Sequence, residues 1–221
     1  MPRPTRWRVP GGIFHVTVRG NNRQQIFLDE ADHQRYLTEL SDAFHEFGCD
    51  LLAYALMPNH VHLVIRDQQG QLSRCMQILN ARYTRYFNRR YQRIGHLYQG
   101  RFYARLVDRN EYLLQVTRYV HLNPVRARLA ARPADYTWSS YRAYVGFPQG
   151  HVGCPADPQM VWSLMGGGNS RQPAACYREF VEAMTPEELP SWERRLRHLK
   201  LIGSARFASE VSDTFPALRS V

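Results

Sequence analysis

Two short segments hold the residues best suited to chemistry. The first is MPNHVHLVI at 57–65. Side chains alternate across a strand with period 2, so His60 and His62 project to one face and Val61 points to the other, into a core. Two imidazoles on one face can converge on a metal ion; the same pattern also suits a pair of surface-facing histidines on an amphipathic strand. The second segment is RYVHLNPVRARL at 118–129. Tyr119 and Asn123 are four residues apart and share a helix face. An unaided tyrosine is a poor nucleophile because its pKa is about 10. It attacks phosphate well when a cation polarises the phosphoryl oxygen and orients the group. Asn123 could give that cation an oxygen ligand beside the two histidines. The chain has 13 tyrosines, and most of them should serve cores or binding surfaces.

The elements that must position these residues can be read from periodicity. IFHVTVR at 13–19 suits a strand opened by the Gly11-Gly12 turn. Residues 30–47 carry Tyr36, Leu37, Leu40, Phe44 and Phe47 at helical spacing, with Gly48 as the stop. DLLAYALM at 50–57 and HVHLVIR at 60–66 are β-rich runs split only by Pro58-Asn59, which predicts a hairpin. A long helix is expected over 71–92, with Leu72, Met76, Leu79, Tyr83 and Phe87 as its apolar stripe. RFYARLV at 101–107 suits a fourth strand, and 109–123 another helix ended by Pro124. The first six elements, β-α-β-β-α-β, define an α+β unit of the split βαβ, ferredoxin-like kind: an antiparallel sheet with helices on one face. This domain is expected over 1–146. Residues 147–221 form a mostly helical C-terminal extension: a Gly/Pro/Gln-rich linker or cover, then short helices near 175–184, 186–199 and 203–212.

Charge points to the partner. All of the excess positive charge lies in residues 1–150, where 21 Arg face 11 Asp and Glu; residues 151–221 are neutral. A basic domain with a neutral tail suits a polyanion. ARYTRYFNRRYQR at 81–93 interleaves Arg82, Arg85, Arg89, Arg90 and Arg93 with Tyr83, Tyr86, Phe87 and Tyr91. Guanidinium groups track phosphates and rings stack on bases, although Tyr83 and Phe87 are expected in the core. Arg3 and Arg6 could form a basic arm. His15, His96 and His121 read as structural or DNA-proximal residues and not as ligands. The four cysteines are far apart and form no CxxC pair, so neither a disulfide framework nor a zinc knuckle is expected. No apolar run approaches a membrane span, and the basic N-terminus has no apolar stretch behind it, so a cytoplasmic protein without a secretory signal or membrane partner is expected.

The hairpin MPNHVHLVI matches the histidine-hydrophobic-histidine (HUH) motif of single-strand DNA endonucleases. Together with GGIFHVTVRGNNRQQIF, HLYQGRFYARLV, YLLQVTRYVHLNPVRARL and DYTWSSYRAY, the chain resembles the REP-associated tyrosine transposases from about residue 10 to 146. LMGGGNSRQPAACYREFV and LIGSARFASEV resemble the extension of longer members. The resemblance implies that His60 and His62 bind a metal, that Tyr119 is the nucleophile and that Asn123 is the third ligand. It further implies Mg²⁺ or Mn²⁺ as cofactor and cleavage of hairpin-flanked single-stranded DNA through a 5′-phosphotyrosine and a free 3′-OH. It fits a bacterial, nucleoid-associated protein acting as a monomer or homodimer. Tyr98 stands where Trp is the more usual residue.

Two other readings compete. The same fold could bind hairpin DNA as a regulator without cutting it. A nucleotide hydrolase of the histidine-triad kind also alternates histidines on a strand, but it needs a third one, and position 64 is Val. No GxxxxGK[ST] loop is present, and no nucleotide cofactor is expected.

Overall fold

The computed structural model describes residues 8–109, 111–147, 156–165, 172–184 and 201–214. Its sheet has the order β2-β3-β1-β4-β5, built from β1 (Gly12–Arg19), β2 (Cys49–Met57), β3 (His60–Asp67), β4 (Tyr103–Val107) and β5 (Leu201–Ile202). The first four strands are antiparallel neighbours in the ferredoxin-like order. The helices α1 (Glu30–Phe47) and α2 (Leu72–Arg90) join them in the expected β-α-β-β-α-β succession. Gly48 ends α1 at φ +61°, the left-handed conformation that glycine adopts without a Cβ penalty.

Alternation along the strands separates two cores. Phe14, Val16 and Val18 of β1 and Val61, Leu63 and Ile65 of β3 pack under α1 and α2 with Tyr83 and Phe87. Full burial of each such side chain contributes about 1.5–3 kcal/mol. The expectation for Tyr83 and Phe87 therefore holds. A bulge between Leu51 and Ala53 puts Leu52 and Ala53 together on the other face.

That other face is not left bare. α3 (Glu111–Arg126) lies across it and packs Leu113, Val116 and Val120 against Ile13, Ala55, Met57 and Val64. Helices thus cover both faces: the six-element unit has its pair on one side, and the seventh element covers the opposite side. Pro124 does not end α3, although the residue before a proline is disfavoured in α geometry; the helix runs on to Arg126. Proline costs one hydrogen bond, to the Val120 carbonyl, and crowds it. The Asn123 side-chain amide donates to the Tyr119 carbonyl at 2.7 Å, and Ala127 N–H reaches the Asn123 carbonyl at 2.9 Å, so the last turn keeps partners.

The end of the first domain and the extension complete this second core. The short helix α4 (Tyr141–Tyr144) of the domain, then α5 (Gln159–Ser163) and α6 (Pro173–Glu182) of the extension, bring in Tyr141, Tyr144, Val161, Tyr177 and Val181. β5 adds to β4 in parallel, so the sheet is not wholly antiparallel, and α7 (Ala205–Thr214) follows it. The helix expected over 186–199 lies outside the described residues. The edge of β2 is covered as well. Tyr144 and Tyr136 hydroxyls donate to the Leu52 and Leu56 carbonyls at 2.5 and 2.6 Å, and Leu56 N–H donates to the Trp138 carbonyl at 2.9 Å. These contacts account for DYTWSSYRAY: its tyrosines and backbone satisfy an edge strand that would otherwise offer bare carbonyls.

His121 ties these parts together. It is fully buried on α3, with Nδ1 2.7 Å from the Tyr177 hydroxyl and Nε2 2.8 Å from the Ser140 hydroxyl. It is a structural residue, as expected. Burial pushes its pKa down to about 3. The unfolded chain takes up a proton at this histidine below about pH 6.5, whereas the folded one does not until about pH 3. This contribution is therefore whole above pH 6.5 and is lost as pH falls toward 3, with a limiting slope of ~1.4 kcal/mol per pH unit. Urea unfolding at pH 7 and 4.5 should show a smaller acid loss for His121→Gln than for the wild type; equal losses would remove His121 from the account.

Candidate active site

The turn that carries the histidines is braced from behind. Gly20 N–H donates to the Asn59 carbonyl at 2.8 Å, Ile26 N–H donates to the Pro58 carbonyl at 2.8 Å, and the Asn59 amide donates to the Arg23 carbonyl at 3.1 Å. Gly20 has to be glycine here, since a Cβ would lie 2.2 Å from the Gln24 carbonyl oxygen. RGNNRQQIF is thus a loop wrapped around the Pro58-Asn59 turn. The Asn59 carboxamide then orients the first histidine, with Oδ1 2.6 Å from His60 Nδ1.

The register brings the rest of the cluster together. His60 pairs with Arg19, His62 with Thr17, and His15 with Arg105, so all of these side chains start from the α3 face. His62 and His15 are buried, and His15 Nε2 lies 3.0 Å from His62 Nδ1. The His60 ring stands at 79° to His62 with centroids 4.9 Å apart. Tyr119, 6 % exposed, projects down from α3. Its ring stands at 89° to His62 and 81° to His15, with centroids 5.7 and 5.9 Å away. Tyr119 and the histidine pair, 57 residues apart in the chain, share one small site.

Burial holds His62 well below the ordinary histidine range, and the charges of His60, His15, Arg126 and Arg105 add to this. Burial, then Arg105, pushes His15 down to about 3. Both rings are therefore neutral at physiological pH, the form in which imidazole can ligate a cation. The Nδ1 atoms of His60 and His62 face Asn59 and His15, so a metal bound by the pair would be held through the two Nε2 atoms. Among the described residues no group of three His, Cys, Asp or Glu is arranged to hold a metal. Any further protein donor must therefore be of another kind. Asn123, buried one turn beyond Tyr119, uses its Nδ2 on the Tyr119 carbonyl, so only its Oδ1 could serve as a donor atom to a cation.

Sequence reasoning missed two cations. The Arg126 guanidinium lies 6.0 Å from the Tyr119 ring centroid, and Arg105, half-buried on β4, interacts electrostatically with Tyr119 and both buried histidines. Arg126 sits seven residues after Tyr119, a two-turn spacing that could have flagged it. Arg105 carried no local signal, because only strand pairing sets it beside His15. His15 is structural, as expected, but it supports the site directly.

The arginines expected to bind DNA fall differently. α2 lies on the far face of the sheet from Tyr119. Arg90 is committed to Asp29 and the fully buried Asp32 at 2.6 and 2.8 Å, and it stacks near Tyr86 and Tyr91. Arg82 pairs with Glu46 at 2.9 Å. Arg93 donates to Gln24 and lies over Phe87. Arg90 in particular serves a structural ion pair: Asp32 also accepts from Leu28 N–H, Tyr86 and Tyr91, and it needs a charged partner in its dry position. Arg85 and Arg89 are exposed beside a groove of about 560 Å³ between α1 and α2. Arg3 and Arg6 lie outside the described residues.

The split βαβ sheet thus presents alternating histidines on an interior strand to a tyrosine on the covering helix. The chain belongs to the IS200-like transposase family, whose model matches residues 9–123. A protein of Haemophilus influenzae that carries the provisional name REP-associated tyrosine transposase is 22% identical over 146 residues, 59% of this chain and 80% of that one. A solved REP-associated tyrosine transposase bound to a REP hairpin shares the fold at TM-score 0.55 and 18% identity, covering 71% of this chain and 94% of its own. No helix among the described residues is long and apolar enough to cross a membrane.

Replacing Arg90 with alanine should lower the melting temperature, because the buried Asp32 loses its counter-charge. Arg85→Ala should leave it unchanged. Thermal unfolding of the two variants checks this, and an unaltered melt for Arg90→Ala would contradict the structural assignment.

Proposed function

We propose that this transposase cuts and rejoins single-stranded DNA beside hairpin-forming palindromic repeats, with Tyr119 as nucleophile. The observation that carries the reading is the right-angle contact of the Tyr119 ring with His62 at 5.7 Å. It sets a hydroxyl-bearing ring from one element against the histidine pair of another. The solved relative with its REP hairpin supports hairpin DNA as the substrate class.

His60 and His62, with Oδ1 of Asn123, are the donors for Mg²⁺ or Mn²⁺. Two imidazole nitrogens and an amide oxygen fit Mn²⁺ more closely than Mg²⁺, which prefers oxygen throughout. Such a cation supplies polarisation of a phosphoryl oxygen and offsets its charge in the transition state. Arg126 and Arg105 beside Tyr119 attract the phosphodiester to the same place. The Tyr119 oxygen then attacks phosphorus, and the bond from phosphorus to the 3′ oxygen breaks. The tyrosine hydroxyl gives up its proton to solvent, and the departing 3′ oxygen takes one from solvent. A 5′-phosphotyrosine and a free 3′-OH remain. Ester is exchanged for ester, so a second DNA end can reverse the step without ATP. Arg85 and Arg89 remain the α2 candidates for phosphate contacts away from the reaction.

Labelled hairpin, unstructured strand and duplex, each incubated with Mn²⁺ or Mg²⁺, test the reading. The hairpin-bearing strand should be cut and the duplex spared. Tyr119→Phe should keep the packing ring, the fold and DNA binding, and lose cleavage by at least about a hundredfold. His60→Ala should lose cleavage too. A wild type that binds the hairpin and cuts none of the three DNAs would favour the non-cleaving regulator.

A further inference from the structure

The hydrogen bond between His15 and His62 carries more than a contact. The two rings lie within 12° of one plane, with centroids 5.2 Å apart and the nitrogens at 3.0 Å. That centroid separation nearly equals the N···N distance plus the radii of both rings. The rings therefore meet edge to edge, in line, as a hydrogen bond requires, and are not stacked faces. The other nitrogen of His15, Nδ1, is buried and has no hydrogen-bond partner.

Each neutral ring carries one proton, so the pair has two consistent arrangements. In one, His15 Nε2–H donates to His62 Nδ1. The His62 proton is then on Nε2, and the buried His15 Nδ1 is a bare acceptor. In the other, His62 Nδ1–H donates to His15 Nε2. The His62 Nε2 then carries a lone pair in place of its proton, and the His15 proton is forced onto the unpartnered Nδ1. A buried N–H with no acceptor is the costlier orphan, so the first arrangement is the resting one. Only the second lets His62 ligate a cation. Neither ring gains or loses a proton overall; each exchanges one with solvent.

We infer that His15 is a positioning residue for the metal-bearing pair: it aims the His62 ring and sets which of its nitrogens carries the proton. The inference rests on the reading of His60 and His62 as metal ligands. Ligating histidines commonly donate their second nitrogen to a carboxylate or carbonyl, which can only accept. Here the partner is a histidine, which can donate or accept, so ligation is coupled to a tautomer exchange of the neighbouring ring.

The test compares the wild type, His15→Leu and His15→Gln, with thermal melts to confirm folding. Free Mn²⁺ is titrated by electron paramagnetic resonance, with no DNA present. Leucine removes the partner, and Mn²⁺ should bind about tenfold more weakly. Glutamine keeps a hydrogen-bonding atom near the position of Nε2, and affinity should stay within about threefold of the wild type. In the metal-free wild type, histidine ¹⁵N spectra should show His62 protonated at Nε2. Unchanged affinity in a folded His15→Leu, or a glutamine variant as weak as the leucine one, would overturn the positioning role. A metal-free His62 already protonated at Nδ1 would overturn the tautomer assignment. A wild type that binds no Mn²⁺ would instead remove the metal reading itself, and the inference with it.

Discussion

A single backbone register carries the site: Thr17 opposite His62 and Arg19 opposite His60, along the pairing of β1 with β3. Because strand side chains alternate, a slip of one residue would turn His60 and His62 into the apolar core beneath α1 and α2 and bring Val61 out in their place. Val61, Leu63 and Ile65 have no exposed surface, so the register is locked by burial on one face while the other face displays chemistry. The same register sets His15 beside His62, and β4 then adds Arg105 next to His15.

Covering a polar face has a cost, which the remainder of the chain offsets. α3 buries an apolar stripe on the sheet and lowers Tyr119 against the histidines in the same docking. Another buried polar residue of α3, His121, is satisfied by Ser140 and by Tyr177 of α6, so residues after 146 help to fix the helix that carries Tyr119. The extension is continuous with the first 146 residues in this sense: Tyr177, Val181 and Ile202 belong to the core that Val116 and Val120 occupy. α2, by contrast, lies behind the sheet, where its stripe of Leu79, Tyr83 and Phe87 holds the scaffold.

Features with a strong local period were legible in the sequence. The helix over 30–47 with its Gly48 stop, the Pro58-Asn59 hairpin and the pairing of His60 with His62 on one face all depend on neighbours within a few residues. The features that were not legible depend on partners far along the chain. The ion pair of Arg90 was hidden because its partners, Asp29 and Asp32, lie about sixty residues earlier. Arg105 and His15 gave no hint of a shared site, since strand pairing alone unites them. Pro124 suggested a helix end, but a proline in a final turn removes only one hydrogen bond. β5 is two residues long and takes its identity from β4, so no pattern of its own could announce it. The family resemblance, in turn, singled out Tyr119 among 13 tyrosines, which spacing alone could not do.

The central claim is that Tyr119 forms the bond to DNA. Trapping the covalent product on a hairpin-bearing oligonucleotide, digesting it with nuclease and trypsin, and sequencing the nucleotide-bearing peptide by mass spectrometry tests it most directly. The account predicts the added mass on the first residue of YVHLNPVR, residues 119–126. Added mass on the neighbouring tryptic peptide that contains Tyr112, or cleavage with no modified peptide at all, would contradict it.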